Sequence, residues 1–196
     1  MPLAVFLDMT VYSFVNGITP GPNNILLLSV TSRYGLKRSL KLMAGMWTGV
    51  LSIMILCCLL CSGLTKVMPQ IKPVLKVAGA LYILYLAVKT LMRKGAADKD
   101  AGDEPKFFTG LIMQFLNFKI IIYGLTCFSS YILPHTSAVP LLLALCPYLV
   151  LGGAFGNVVW AVFGSFLKPF YNRHVTAVNI VMALLLVWCS VRIILA

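Results

Sequence analysis

Apolar residues run along this chain in six long stretches, separated by short segments that carry charges or prolines. Each stretch is about twenty residues or longer, which is the length that an α-helix needs to cross the hydrocarbon core of a bilayer. The pattern therefore predicts an all-α, polytopic membrane protein with six transmembrane helices. The predicted spans cover residues 3–32, 42–65, 71–92, 107–134, 139–167 and 175–195.

The first span is interrupted near its middle by Pro20-Gly21-Pro22, followed at once by Asn23 and Asn24. A proline inside a helix removes a backbone donor and clashes with the preceding turn, so two of them predict a broken helix. In lipid, the backbone groups freed by a break must be satisfied by protein or by water in a cavity. A break at mid-membrane is therefore typical of a transporter binding site.

The polar segment between the third and fourth spans divides the chain into two halves of three spans. Four of the five acidic residues lie there among alanines and glycines, which predicts a flexible cytoplasmic linker. Because three is an odd number, two related halves must lie inverted in the membrane. We expect a single transporter domain over residues 1–196, with repeat one at about 1–92, the linker at about 93–106 and repeat two at about 107–196.

Pairs of glycines occur at corresponding places in the two halves. The second span contains Gly45 and Gly49, and the fifth contains Gly152 and Gly156. Small residues four positions apart let two helix backbones approach closely. The pairs therefore support the two-repeat interpretation and predict close helix contacts in both halves.

The composition agrees with a membrane protein, because 60% of the residues are hydrophobic and only 11% are charged. A soluble domain has about 25% charged residues. The net charge of +11 comes from lysines and arginines at the ends of apolar spans, which favours topology signals over nucleic-acid binding. Most of them lie in the loops after the first, third and fifth spans, so we expect these loops in the cytoplasm and both termini on the outer face.

Nothing in the sequence favours catalysis, a cofactor or a resident metal. All six cysteines lie in apolar segments, and Cys57, Cys58 and Cys61 come closest to a soft-metal site, but no histidine or carboxylate accompanies them. We interpret them as small apolar residues. A metal-ion exporter is the alternative within transport, and a membrane-embedded enzyme or assembly factor is the alternative from another class.

The break in the first span offers complementary groups for an amino acid. The helix that restarts after Pro22 presents backbone donors and a positive dipole end, which suit a carboxylate. The helix that ends before Pro20 leaves carbonyls, which suit an ammonium. A kink that only shapes the helix bundle is the alternative.

Lys119 is a charge near the middle of the fourth span, where charged side chains normally face a cavity or a partner. We expect its ammonium to meet helix carbonyls or an anionic group of the substrate, with snorkelling to the interface as the alternative. Asn157 either lines a path or forms a hydrogen bond between helices. The predicted substrate-binding residues are Asn16, Thr19, Pro20, Gly21, Pro22, Asn23, Asn24, Gln114, Asn117, Lys119 and Asn157.

These motifs resemble the LysE/RhtB superfamily of amino-acid exporters, from Asn16 through the Pro-Gly-Pro break to Gly49. The second family signature, usually Asn-Pro-Lys, corresponds here to Asn117-Phe118-Lys119. Because the proline is missing, the sequence leaves open whether span four is broken. Within the superfamily, the chain is most similar to the cysteine/O-acetylserine exporters.

The resemblance implies a secondary-active exporter in the inner membrane of a bacterium. It would move cysteine, O-acetylserine or a related small neutral amino acid out of the cytoplasm by alternating access around a site between spans one and four. No phosphate-binding loop is present, so we expect an ion gradient to supply the energy, with the proton as one candidate. The expected partners are the amino acid and the lipid bilayer, with no nucleic acid, and a homo-oligomer is compatible with the sequence.

Overall fold

The computed structural model describes residues 1–92 and 106–195, and the side chains of all of these except 60–72, 75, 76, 192 and 193. The predicted linker thus lies outside the described residues, apart from Lys106. Within the described ranges every regular element is helical, as predicted. The helices are α1 (Leu3–Ile18), α2 (Pro22–Tyr34), α3 (Leu36–Leu91), α4 (Phe107–Phe115), α5 (Phe118–Thr126) with a π-helical turn (Cys127–Ile132), α6 (Val139–Phe166), α7 (Lys168–Arg173) and α8 (Val175–Leu195).

The first predicted span is broken where the prolines predict it. Pro22 is the first residue of α2, a position where its missing N–H and fixed φ cost nothing. Gly21 before it is extended, with φ −163° and ψ 174°. The helix α2 then ends at Gly35, whose φ of +85° favours glycine, and α3 follows immediately.

The prediction of two separate spans at 42–65 and 71–92 is wrong in its boundaries, because α3 is continuous from Leu36 to Leu91. The basic residues Lys37, Arg38 and Lys41, which we assigned to a loop, are exposed in the first turns of α3. Nevertheless α3 reverses direction. A Cβ atom on Gly49 would lie 2.6 Å from the side chain of Gln114, and a Cβ atom on Gly79 would meet the carbonyl of Leu116. A straight helix would separate the two glycines by about 45 Å.

The fourth predicted span is also broken, although the family proline is missing. The helix α4 and the stretch Phe118–Ile132 are bent by 62°. Asn117 leaves the helical conformation with φ −90° and ψ 90°, and α5 starts at the next residue. A non-helical Asn117 is therefore enough to break this span without proline.

Both glycine pairs form the predicted close contacts. A Cβ on Gly156 would collide with the carbonyl of Gly17 in α1. In the other half, a Cβ on Gly45 would collide with the carbonyl of Phe107, at the start of α4. The first segment of each broken span thus packs on the glycine pair of the other half of the chain.

Among the described residues, two helices are long and apolar enough to cross a membrane by length and composition, Leu36–Leu59 within α3 and Val139–Phe166. The bent pair Phe107–Phe115 and Phe118–Ile132 makes a third if it is one span. Shorter apolar helices are Leu3–Ile18, Val77–Leu91 and Val175–Val191. The helix α2 is central, since its residues from Pro22 to Ser32 are all buried.

Candidate functional site

The break in the first span and the break in the fourth meet through Lys119. Its Nζ donates hydrogen bonds to the carbonyl oxygens of Asn16, at 2.8 Å, and Thr19, at 3.0 Å. In an uninterrupted helix the Asn16 carbonyl would accept from residue 20, but Pro20 has no N–H. The ammonium of Lys119 supplies the donor that the proline removes. Of the two interpretations of Lys119, the structure thus favours contact with helix carbonyls over snorkelling.

A second proline leaves a second carbonyl without its intrahelical donor. The carbonyl of Ile18 would accept from residue 22, which is Pro22. Here Nε1 of Trp160, on α6, donates to the Ile18 carbonyl at 2.9 Å. Because Trp160 follows Asn157 by three residues, the two lie on one face of α6. That spacing is the signal by which the sequence could have revealed Trp160, which is not among the predicted site residues.

Asn24 completes the carbonyl end of α1. Its Nδ2 donates to the carbonyls of Gly17, at 2.8 Å, and Thr19, at 3.0 Å. Its Oδ1 accepts from Nδ2 of Asn157 at 3.2 Å. The carbonyls that we expected to be unpaired are therefore occupied in this conformation, and the ammonium on them belongs to the protein.

Asn23 points to the other half of the chain. Its side chain and that of Gln114 form a reciprocal amide pair, with distances of 2.7 and 3.3 Å. Nε2 of Gln114 also donates to the carbonyl of Gly110 at 2.9 Å. This pair fixes the start of α2 against α4.

Asn117 is buried, with 2% of its surface exposed, and neither atom of its amide has a hydrogen-bond partner among the described residues. Its side chain does not cap α5. A buried polar group normally finds a partner, so an unpaired amide beside a cavity marks a place for a polar ligand or water.

Two cavities adjoin Lys119. The small cavity, of about 30 Å³, holds about two waters. It is lined by Asn16, Gly17, Gly21, Pro22, Asn23, Asn24, Val50, Asn117, Lys119, Ile120, Tyr123, Gly153 and Asn157. The large cavity, of about 350 Å³, is within the range of small-molecule sites. It is lined by Tyr12, Asn16, Thr19, Pro20, Gly21, Pro22, Phe118, Lys119, Ile122, Trp188 and Cys189.

The amino ends of α2 and α5 both border the small cavity, and Lys119 is the only charged residue among the described residues that line either one. Ten of the eleven predicted residues line one cavity or both, and Gln114 is one hydrogen bond away. The aromatic side chains that line the cavities, such as that of Tyr123, are not among the predicted site residues. Tyr123 lies one helical turn beyond Lys119, a spacing that marks the same face.

Comparison with known proteins fits this arrangement. A family described as LysE type translocator matches residues 15–196. The chain belongs to this family. The match covers both helix breaks and every predicted site residue. Together with its apolar helices, membership of the LysE type translocator family identifies the chain as an integral membrane protein.

Several known proteins are similar to this one over nearly the whole chain. A cysteine/O-acetylserine efflux protein of Salmonella choleraesuis (strain SC-B67) is 40% identical over 183 residues, which is 93% of each chain. Proteins of the same name from Escherichia coli (strain K12) and Shigella flexneri serotype 5b (strain 8401) are 38% identical over 182 residues, again 93% of each chain. No solved structure matches this chain significantly.

Proposed function

We propose that this chain is a secondary-active exporter of small neutral amino acids, with cysteine and O-acetylserine as its substrates. The names of the relatives support the substrates. The observation that carries the proposal is the meeting of two broken spans at one polar site, where Lys119 of one break binds the carbonyl end of the other. Broken helices that meet at mid-membrane are how transporters bind small ions and zwitterions.

The proposed architecture is six spans in two inverted repeats, in the bacterial inner membrane, with both termini on the outer face. Support comes from the correspondence of the breaks at 19–21 and 116–117 and of the two glycine contacts. The six proposed spans are α1 with α2, the part of α3 before its reversal, the part of α3 after it, α4 with α5, α6 and α8. The bias of lysines and arginines supports the orientation.

The site suits a zwitterion without any carboxylate side chain. Two helix amino ends border the small cavity, and helix amino ends attract a carboxylate. The unpaired amide of Asn117 adds a donor for the same group. The carbonyl end of α1, at Asn16 and Thr19, suits the ammonium, and Asn16 lines the same small cavity. The predicted set of binding residues is therefore proposed as the substrate site.

The cavity volumes support alternating access. The small cavity holds only about two waters, which is too small for an amino acid. The large cavity is ample, and Lys119 borders both. Binding of the substrate therefore requires the small cavity to open. We propose that the two repeats move relative to each other around this cavity. An ion gradient, with the proton as one candidate, would drive the cycle.

Counterflow of labelled amino acids tests the proposed function. Purified protein is reconstituted into liposomes loaded with unlabelled cysteine or O-acetylserine, and uptake of the labelled compound is followed. We expect transient accumulation of both labels, and none in liposomes loaded with lysine or glutamate, since the described residues that line the two cavities carry no charge beyond that of Lys119. Protein that is monodisperse but supports no accumulation of either compound would contradict the proposal.

A further inference from the structure

We propose that the ammonium of Lys119 is a tethered stand-in for the ammonium of the substrate. In the empty protein it occupies the carbonyls of Asn16 and Thr19, and the substrate displaces it on binding. The inference rests on the proposed function and gives Lys119, one of the proposed binding residues, a task while the site is empty.

The contact itself indicates competition. Lys119 binds the two carbonyls at 2.8 and 3.0 Å, the distances of full hydrogen bonds to a charged donor. A primary ammonium of a free amino acid has the same three donors as the lysine head group. The same acceptors cannot serve both cations at once. Whatever ammonium binds there must therefore replace that of Lys119.

The carbonyl end of α1 requires such an occupant. Pro20 cannot donate to the carbonyl of Asn16, and Lys119 is the donor that the structure gives it. Asn24 and Trp160 serve the neighbouring carbonyls of Gly17 and Ile18 and stay in place. The hydrogen bond from Lys119 to Asn16 is partly buried. In a membrane a backbone carbonyl without a donor is costly unless water reaches it, so an empty site lacking Lys119 would stay open to water.

The displaced lysine keeps a partner. Lys119 lines the small cavity together with Asn117 and the amino end of α2, where we place the carboxylate of the substrate. Its ammonium is thus next to the carboxylate when the substrate ammonium takes the carbonyls. The exchange of one cation for another leaves the charge of the α1 end unchanged, and the lysine returns when the substrate leaves.

This arrangement separates two kinds of transport. In exchange, the protein changes between its two conformations only with substrate bound. The substrate ammonium then occupies the carbonyls of Asn16 and Thr19 in both steps. Net efflux requires the empty protein to return, and Lys119 covers the carbonyls on that step. Removal of the lysine is therefore expected to slow net efflux more than it slows exchange.

The test compares Lys119→Ala with wild type and with Lys106→Ala, which removes an exposed lysine outside the site. We expect Lys119→Ala to lose net efflux by about tenfold or more, as for a carbonyl deprived of its charged donor. Counterflow exchange should fall by a clearly smaller factor, because the loaded protein loses only the contact between the displaced lysine and the substrate carboxylate. Loss of both activities by the same factor in folded protein would overturn the proposal, because the lysine would then act on the loaded protein alone. Unchanged net efflux would overturn it as well.

A second readout does not depend on amino-acid transport. Methylammonium fits the space that Lys119→Ala vacates and should raise the melting temperature of the purified variant, but not that of wild type, where the site is occupied. If methylammonium shifts both proteins equally, or neither, the stand-in proposal fails. If wild-type protein moves no amino acid while methylammonium rescues the variant, the transport function fails and the cation site stands. Lys119→Met, which fills the space without a charge, should show no rescue and serves in the transport assay if the alanine variant does not fold.

Discussion

At the scale of single residues, two backbone carbonyls explain much of the site. Those of Asn16 and Ile18 lose their intrahelical donors because residues 20 and 22 are prolines. The sequence reveals the loss directly. It does not reveal that Lys119 and Trp160 supply the missing donors, because both come from distant parts of the chain and depend on how the helices pack.

Asn117 and Asn23 are a matched pair of buried asparagines that should respond differently to leucine. Asn117 has no partner to lose, so Asn117→Leu should leave the melting temperature unchanged or raise it, while counterflow falls. Asn23→Leu leaves Oε1 of Gln114 without a donor, whereas its Nε2 keeps the carbonyl of Gly110, and should cost about 1–3 kcal/mol of stability.

Thermal unfolding in detergent and counterflow in liposomes measure the two effects. Destabilisation of both variants to the same extent would show that Asn117 has a structural partner. Normal transport by Asn117→Leu would remove it from the substrate site.

At the scale of elements, helix α6 offers a test of the glycine contacts with its own control. Gly156→Ala places a methyl group against the backbone carbonyl of Gly17, which cannot move aside as a side chain can. We expect α1 and α6 to separate, at a cost of about 1–3 kcal/mol. Gly153, one turn away, has nothing within 4 Å of its Cβ position, so Gly153→Ala should be neutral or stabilising.

The melting temperatures of the two alanine variants decide this point. A similar loss in both would mean that the cost is general to α6 and does not come from the contact with Gly17.

The bounds of a helix were predictable where the length of an apolar stretch or a proline sets them. They were less predictable where a single polar residue breaks the helix. The helices of the fifth and sixth predicted spans, α6 (Val139–Phe166) and α8 (Val175–Leu195), lie close to their predicted bounds. The break at Asn117 was left open because no proline marks it. The short helix α7 was missed, since its six residues are too few for a periodic pattern. The start of α3 was misjudged because charged residues can form exposed helical turns as readily as loops.

At the scale of the whole molecule, the site is a property of the packing between the two halves of the chain. The sequence predicts that the two three-span halves are inverted. Such an inversion would bring both breaks to the same depth in the membrane. The reversal within α3 and the reciprocal glycine contacts set how close they come. No local pattern encodes the distance between the Lys119 ammonium and Asn16, so the sequence predicted that Lys119 meets helix carbonyls or the substrate, but not which carbonyls it binds.

The central claim is that the break in the first span is the transport site, and a double variant tests it most directly. In Pro20→Ala with Pro22→Ala, the new N–H groups can pair with the carbonyls of Asn16 and Ile18, because each proline disfavours a helix interior by about 3 kcal/mol. Pro147→Ala, which removes an exposed proline inside α6, is the matched control.

Counterflow of labelled cysteine into proteoliposomes that hold equal amounts of each folded protein is the decisive measurement. The account predicts that the double variant falls to the level of empty liposomes, since the helix runs through and the site disappears, while Pro147→Ala exchanges like wild type. Exchange by the double variant at the wild-type rate would contradict the account, because the break would then only shape the bundle.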